Sequence, residues 1–152
     1  MRLAVSVRKR LFLALGYTYR LLYHLPVIGD PLVRGICRAI AFMNYHSPYG
    51  IKSFVSMDDF RKRFEGLVKM ADLDIDIAGQ DEEKLELVMA RCAYGFSLPE
   101  HRGVCDAAMD MDRKMFGYCG ARLVIDECIP DGFPVCKVSL HRPDQAGVGK
   151  DF

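Results

Sequence analysis

The spacing of apolar residues predicts three helices in the first half of the chain. Apolar positions recur every three or four residues over 1–25, about 31–44 and about 57–70, which is the period of a helix with one buried face. Pro26 ends the first helix. Ser56 stands where an N-cap is expected, because its side chain can accept a hydrogen bond from the first turn of the third helix.

The period changes to two after residue 72, which is typical of half-buried strands. Leu73, Ile75 and Ile77 alternate with aspartates, and a second alternating segment covers 84–92. A helix over about 106–118 and strands over 122–128 and 135–141 complete the pattern. These elements predict an α+β fold with a four-stranded antiparallel sheet (ββ-α-ββ), helices packed on it and N-terminal helices before it.

The predicted elements divide the chain into three parts. Residues 1–50 are interpreted as a basic amphipathic helical appendage, and residues 51–142 as a metal-binding α+β domain. Residues 143–152 contain two glycines and are expected to be a flexible tail. Hydrophobic residues make up 51% of the 152 residues, which is enough for one ordinary core.

Charge is distributed unevenly along the chain. The first 52 residues carry eight Lys or Arg against one acid, Asp30, although the net charge of the chain is +1. Such a segment suits an anionic membrane surface or an acidic protein partner; the alternative is a solvated face that packs on the rest of the chain. No apolar run reaches the ~18 residues of a membrane span. Nucleic-acid binding is not expected, because no Lys/Arg stripe accompanies a recognition motif.

The cysteines indicate a metal site. The apolar run after Arg10 is too short for a secretion signal, so a cytoplasmic, reducing location is expected, with peripheral membrane association through residues 1–50. Zinc takes about four Cys, His or carboxylate ligands; the alternative is that the cysteines are simply buried apolar residues. Five of the six cysteines fall within 45 residues, at the ends of predicted elements: Cys92, Cys105, Cys119, Cys128 and Cys136.

Two registers of the last hairpin are open at this stage. If Asp131 and Gly132 form a two-residue turn, Glu127 faces Cys136. If the loop is longer and centred on Gly132, Cys128 faces Cys136, and directly paired side chains are close enough to share one ion. Glu127, Cys128 and Cys136 are therefore all candidate ligands.

Cys105 could also serve as a nucleophile. It precedes the predicted helix at 106–118, whose free amide groups would stabilise a thiolate, and His101 could act as its base or as a metal ligand. On that helix, Met111 and Met115 are candidates for contacts with a bound molecule, with plain core as the alternative. The acids there are expected to be solvated, or else to orient a ligand or water near the metal: Asp106, Asp110 and Asp112.

The second half of the chain resembles a known family. The similarity covers about residues 71–141 and rests on Val104-Cys105, Gly117-Tyr118, Leu123, Glu127-Cys128, Gly132, Cys136 and Val138. These residues resemble the 4-vinyl reductase-type small-molecule-binding domain and the related L-2-amino-thiazoline-4-carboxylic acid hydrolase-like proteins, which share a strand-ending cysteine such as Cys92. The resemblance implies an α+β fold with an antiparallel sheet, and zinc bound by Cys105, Glu127, Cys128 and Cys136.

Together these observations predict a metal-stabilised module, with zinc as the metal, that binds a small hydrophobic or heterocyclic molecule or serves as an accessory unit. One alternative is a hydrolase of a cyclic amidine or thiazoline, which uses metal-activated water or Cys105. Another is an accessory subunit of a membrane or redox complex whose cysteines hold an iron–sulfur cluster.

Overall fold

The computed structural model of the protein describes residues 2–48 and 53–142; the tail that is expected to be flexible lies outside this range. Two short 3₁₀ turns, Pro99–His101 and Ile129–Asp131, accompany nine longer elements in the described part of the chain. These are α1 (Arg2–Tyr23), α2 (Gly29–His46), α3 (Met57–Ala71), β1 (Asp76–Gln80), β2 (Lys84–Met89), α4 (Arg102–Ala108), α5 (Asp110–Tyr118), β3 (Arg122–Glu127) and β4 (Cys136–His141).

The four strands form one antiparallel sheet in the order β1-β2-β4-β3. Leu87 of β2 lies opposite Val138 of β4, which lies opposite Ile125 of β3. These apolar side chains share the face that the helices cover, whereas Glu86 and Lys137 alternate with them onto the other face. The predicted α+β class, with a four-stranded antiparallel sheet behind N-terminal helices, is confirmed.

The start of α3 agrees with the sequence pattern, but its end changes the first strand. The Ser56 hydroxyl accepts the N–H of Asp59 at 3.2 Å, which confirms the predicted cap. At the other end Asp72 takes a left-handed conformation with φ 53°, and the N–H of Leu73 donates to the Val68 carbonyl at 3.1 Å. This arrangement closes the helix as in a Schellman motif, so Leu73 belongs to the helix end and strand pairing begins only at Asp76.

The helix predicted over 106–118 begins earlier and is divided in two. α4 starts at Arg102, and α5 follows after Met109. The N–H of Met109 still donates to the Cys105 carbonyl at 3.0 Å, so the chain bends there without leaving helical geometry. Cys105 therefore lies inside α4, and the prediction that it precedes a helix is wrong.

Helices α1 and α2 are part of the core rather than an appendage. Tyr19 of α1 and Val33 and Cys37 of α2 are buried in the same apolar cluster as Phe96 and Cys105. The predicted boundary at residue 50 falls within 49–52, outside the described residues. Because the helices before it pack into the core of the part that follows, the division drawn from composition does not correspond to a division in packing.

Arginines of α2 are paired with acids of α4 and α5. Arg34 Nη2 lies 2.9 Å from Asp106 Oδ2, and Arg34 Nη1 lies 3.0 Å from Asp110 Oδ1. Arg38 Nη2 lies 2.8 Å from Asp110 Oδ2. Part of the basic excess of the first 52 residues is thus used inside the fold, and Asp110 is a buried, paired acid instead of a solvated one. Within the described residues, no helix combines the length and hydrophobicity needed to cross a bilayer.

Candidate metal and ligand site

Four of the predicted cysteines line one cavity, and we call them the thiol cluster: Cys92, Cys105, Cys128 and Cys136. Cys105 Sγ and Cys128 Sγ are 3.7 Å apart and both side chains are buried. Cys92 and Cys136 are near enough that a charge on either one affects Cys105. The structure therefore brings together residues from the loop after β2, from α4 and from the β3–β4 hairpin. Cys119, by contrast, is buried in a different cluster, with Phe60 and Phe64.

Two members of the thiol cluster stand at the start of tight turns, one of which ends in a glycine while the other is followed by one. The carbonyl of Cys92 accepts the N–H of Gly95 at 3.0 Å, and that of Cys128 accepts the N–H of Asp131 at 2.9 Å. Gly95 ends the first turn and Gly132 directly follows the second. Their φ values are 73° and 94°, a region that residues with L side chains rarely adopt. These turns hold the two cysteines in place through backbone geometry.

The hairpin adopts the longer-loop register. Glu127 pairs with Lys137, so continuing the ladder by one residue places Cys128 across from Cys136. The backbone N–H of Ile129 donates to Cys136 Sγ at 3.3 Å. This N–H···S bond orients the sulfur towards the start of the 3₁₀ turn.

Glu127 is not brought to the thiols. A register shift between Ile125 and Glu127 turns the Glu127 side chain to the other face of the sheet, beside Lys137. There its Oε1 accepts from Lys137 Nζ at 2.8 Å. The carboxylate that the resemblance implies as a zinc ligand is thus already paired with a lysine, and Cys92 is the fourth cysteine on the cavity wall.

The surroundings of Cys92, Cys105 and Cys128 disfavour the thiolate, which is the negatively charged form. Burial raises the pKa of Cys105 well above its usual range, and the neighbouring Cys128 raises it further. Burial also raises the pKa of Cys92, although nearby backbone N–H groups oppose the rise. The pKa of Cys128 is raised for the same reason, with Arg102 opposing. Because the thiolate is the nucleophile, Cys105 lacks the activation that the sequence analysis expects for a catalytic cysteine.

His101 does not act on Cys105 in this structure. Its Nδ1 accepts the backbone N–H groups of Ser97 and Leu98 at 3.2 and 3.3 Å, and its Nε2 faces Arg20 Nη1 at 3.4 Å. Among the described residues, no hydrogen bond joins the imidazole to the Cys105 thiol. The ring is buried and fixes the loop before α4.

The thiol cluster can be compared with the geometry that a metal requires. No three Cys, His, Asp or Glu side chains within residues 2–48 and 53–142 are positioned to hold an ion together. The separation of Cys105 and Cys128, 3.7 Å, nevertheless matches the ~3.8 Å between two sulfurs on a tetrahedral zinc with bonds of ~2.3 Å. Four cysteine donors are also the set that closed zinc sites and iron–sulfur clusters use. The donor chemistry fits a four-cysteine metal site, and one of the sulfur–sulfur distances has the length that such a site requires.

The cavity beside the thiol cluster has a volume of about 300 Å³ and lies between the inner face of the sheet and the helices. Met111 and Met115, the predicted contacts of a bound molecule, both line it. Apolar side chains from every layer of the fold complete the wall, among them Phe12, Phe64, Leu87, Tyr94, Phe116, Leu123, Ile125 and Val138.

Asp112 also lines this cavity, although the sequence pattern indicated a solvated acid. Burial raises its pKa to about 7, with the adjacent Arg113 opposing. The residue is half-buried, and it belongs to the cavity wall. Asp112 shares a helix face with Met115 and Phe116, three and four residues further on, and this spacing was the signal in the sequence that could have identified it.

No model of a known protein family matches the chain, and no curated protein is significantly similar to it in sequence. The resemblance to the 4-vinyl reductase-type domain therefore stays a prediction.

Proposed function

We propose that the protein is a metal-stabilised module that binds a small molecule, with zinc held by the thiol cluster at one end of the apolar cavity. The observation that carries this proposal is the convergence of four cysteines from three chain segments on the wall of one cavity. Buried cysteines scattered through a core would not be expected to share a wall or to approach at 3.7 Å.

A metal ion would resolve the unfavourable electrostatics of the thiols. A bound cation deprotonates a coordinating thiol outright. Burial raises the pKa of Cys105 and Cys128 in the metal-free chain, but it would not prevent them from binding a metal as thiolates. The guanidinium of Arg102 lies close enough to Cys128 to lower its pKa, and, although it also contacts Asp131 Oδ1 at 2.8 Å, it would offset part of the excess negative charge of a four-thiolate site. Because such a site does not exist in the unfolded chain, the free energy of metal binding would contribute directly to folding.

The cavity supports the small-molecule part of the proposal. Its volume, about 300 Å³, is at the lower end of the range for ligand sites. Its wall is mainly apolar, with few polar groups, which is the usual composition of a site for a small hydrophobic or heterocyclic molecule. The metal would fix the loop after β2, α4 and the hairpin, and these three segments form one end of the cavity.

Metal analysis of protein purified without oxygen tests the proposal. We expect about one zinc per chain in the wild type and loss of that zinc, with a lower melting temperature, in Cys128→Ser. The matched control is Cys119→Ser, since Cys119 is equally buried but its thiol donates to the Met115 carbonyl at 3.3 Å, a bond that a hydroxyl can keep. Equal metal content in wild type and Cys128→Ser would contradict the proposal. A brown, iron-loaded protein would indicate that the cysteines hold an iron–sulfur cluster instead of zinc.

We also propose peripheral membrane attachment through the connection between α1 and α2. Residues 25–28, which we call the hydrophobic tip, expose Leu25, Val27 and Ile28. Val27 is 96% exposed and has a φ of 67°, a strained conformation for a β-branched residue. The strained backbone holds an apolar side chain in solvent, and such an arrangement favours contact with an apolar surface of another body.

The surface next to the hydrophobic tip suits the interface of an anionic bilayer. Leu21 and Tyr17 of α1 are exposed about one and two turns away, respectively, and the Arg20 guanidinium lies 5.6 Å from the centre of the Tyr17 ring. Apolar and aromatic groups beside arginine are typical of helices that lie in the headgroup region. The occupant that this composition favours is a lipid surface rather than a protein.

Sedimentation with lipid vesicles tests the attachment. We expect the wild type to bind phosphatidylcholine vesicles that contain phosphatidylserine, and Val27→Glu to bind several-fold more weakly. Val55→Glu is the control, because Val55 is also strongly exposed, at 82%, but lies in the loop before α3. Failure of the wild type to bind these vesicles, or equal weakening by both substitutions, would contradict the proposal.

A further inference from the structure

We propose that Asp112 anchors the ligand and that the bound molecule is a cation, namely an apolar body that carries a protonated amino group. This inference rests on the proposed small-molecule function, because it names the chemistry of the molecule that the cavity takes. It arises from one carboxyl group whose position in the fold is not explained by any contact within the described residues.

The charged side chains of the cavity wall differ in position. Asp74 and Arg91 are exposed, so they lie at the mouth, and Asp74 Oδ2 contacts Lys9 Nζ at 3.3 Å. Asp112 is half-buried, and it is therefore less exposed than these two residues. Among the described side chains, those of residues 9–48, 53–70 and 72–142, none makes a hydrogen bond or ion pair to its carboxylate, which is unusual for an acid in an apolar setting.

No cation among the described side chains is paired directly with Asp112. The cation next in sequence, Arg113, is committed elsewhere: its Nη2 contacts Asp106 Oδ1 at 2.6 Å, and its Nη1 contacts Asp110 Oδ1 at 3.3 Å. On the other elements, Tyr19 of α1, Cys37 of α2 and Tyr94 are close enough that the charge of Asp112 raises the pKa of each. These groups are neutral, so the carboxylate has no directly paired cation among the described side chains, and the charge of Arg113 offsets its cost only in part.

A cationic ligand removes this imbalance. A carboxylate removed from water is costly unless it is paired, and an ammonium group placed against it gives a short, charge-assisted hydrogen bond in a medium of low dielectric constant. A neutral ligand of the same shape would leave the carboxylate desolvated and unpaired. An anionic ligand would add a second negative charge. The apolar wall around Met115, Phe116 and Leu123 provides for the body of the molecule.

Three probes of one shape separate this inference from the proposed function. 1-Naphthylmethylamine, 1-naphthalenemethanol and 1-naphthoic acid share an aromatic body and differ in charge, and binding to the full chain is measured at about pH 8 by calorimetry. For the wild type we expect the amine to bind about 10- to 100-fold more tightly than the alcohol, and the acid to bind least.

Two variants identify the origin of the preference. Asp112→Asn keeps the shape of the side chain and should bind amine and alcohol alike, whereas Asp74→Asn removes an acid at the mouth and should keep the preference. If the alcohol binds and the amine binds no better, or if Asp112→Asn keeps the preference, the inference is overturned while the small-molecule function stands. If no probe binds the wild type, the cavity is not the ligand site and both proposals fail.

Discussion

At the scale of single residues, burial decides what the ionisable groups can do. Cys105 has a helix position and a nearby histidine that suggest a nucleophile, yet burial raises the pKa of its thiol and His101 is bonded to the backbone of the preceding loop. Asp112 shows the opposite case, because an acid expected to be solvated lines the cavity. The sequence contains these residues and their spacing, but it does not state which face of a short helix is covered.

The pH dependence of stability tests the environment of Asp112. Its pKa is raised from 3.8 to about 7 by burial, so the folded protein holds a proton between these values that the unfolded chain releases. This contribution is therefore favourable below about pH 4 and is lost as the pH rises to about 7. We expect Asp112→Asn to raise the free energy of unfolding at pH 8 by about 2–4 kcal/mol and to change it little at pH 4.

Urea denaturation of both proteins at the two pH values measures this difference. Destabilisation by Asp112→Asn at pH 8 would show instead that the carboxylate is paired and favourable in the folded state.

At the scale of elements, local sequence signals predict that a helix or strand exists and which of the two it is. The residues at which it begins and ends depend on contacts that the sequence pattern does not show. The three N-terminal helices, the Ser56 cap and the four strands follow from periodicity and capping chemistry. The predicted strand at Leu73 does not form there, because the left-handed Asp72 and the Leu73 N–H close α3 first. The register of the last hairpin was open because the prolines in its loop leave the turn type undetermined, and the Glu127–Lys137 pair resolves it.

The packing of α1 on the loop that carries Cys92 is also an element-scale property. A Cβ at Gly16 would lie 2.1 Å from the Tyr94 carbonyl oxygen, which is backbone and cannot move alone. We therefore expect Gly16→Ala to lower the free energy of unfolding by about 1–3 kcal/mol through overpacking, and to weaken metal binding because the loop shifts.

Gly35→Ala is the matched control, because Gly35 lies within helix α2 with open space around it. There alanine should be neutral or stabilising by up to about 1 kcal/mol. Equal effects of the two substitutions in denaturant titrations would mean that α1 does not pack closely on the loop.

At the scale of the whole molecule, the fold class could be predicted but the domain division could not. The basic character of the first 52 residues indicated a separate appendage, whereas Arg34 and Arg38 pair with acids more than 70 positions away in the sequence. The composition of a segment does not reveal such long-range pairing. The same packing places Tyr19 and Cys37 in the cluster that contains Cys105 and Cys128, so a chain that starts near residue 52 is expected to lose core as well as any attachment surface.

The central claim is that four cysteines hold one metal ion beside the cavity, and X-ray absorption at the zinc edge of the purified protein tests it most directly. We expect a shell of four sulfur ligands at about 2.3 Å, with one sulfur lost or replaced by a lighter ligand in any metal that Cys128→Ser retains. A shell of nitrogen or oxygen ligands at about 2.0–2.1 Å, or a fully folded protein that holds no metal, would contradict it.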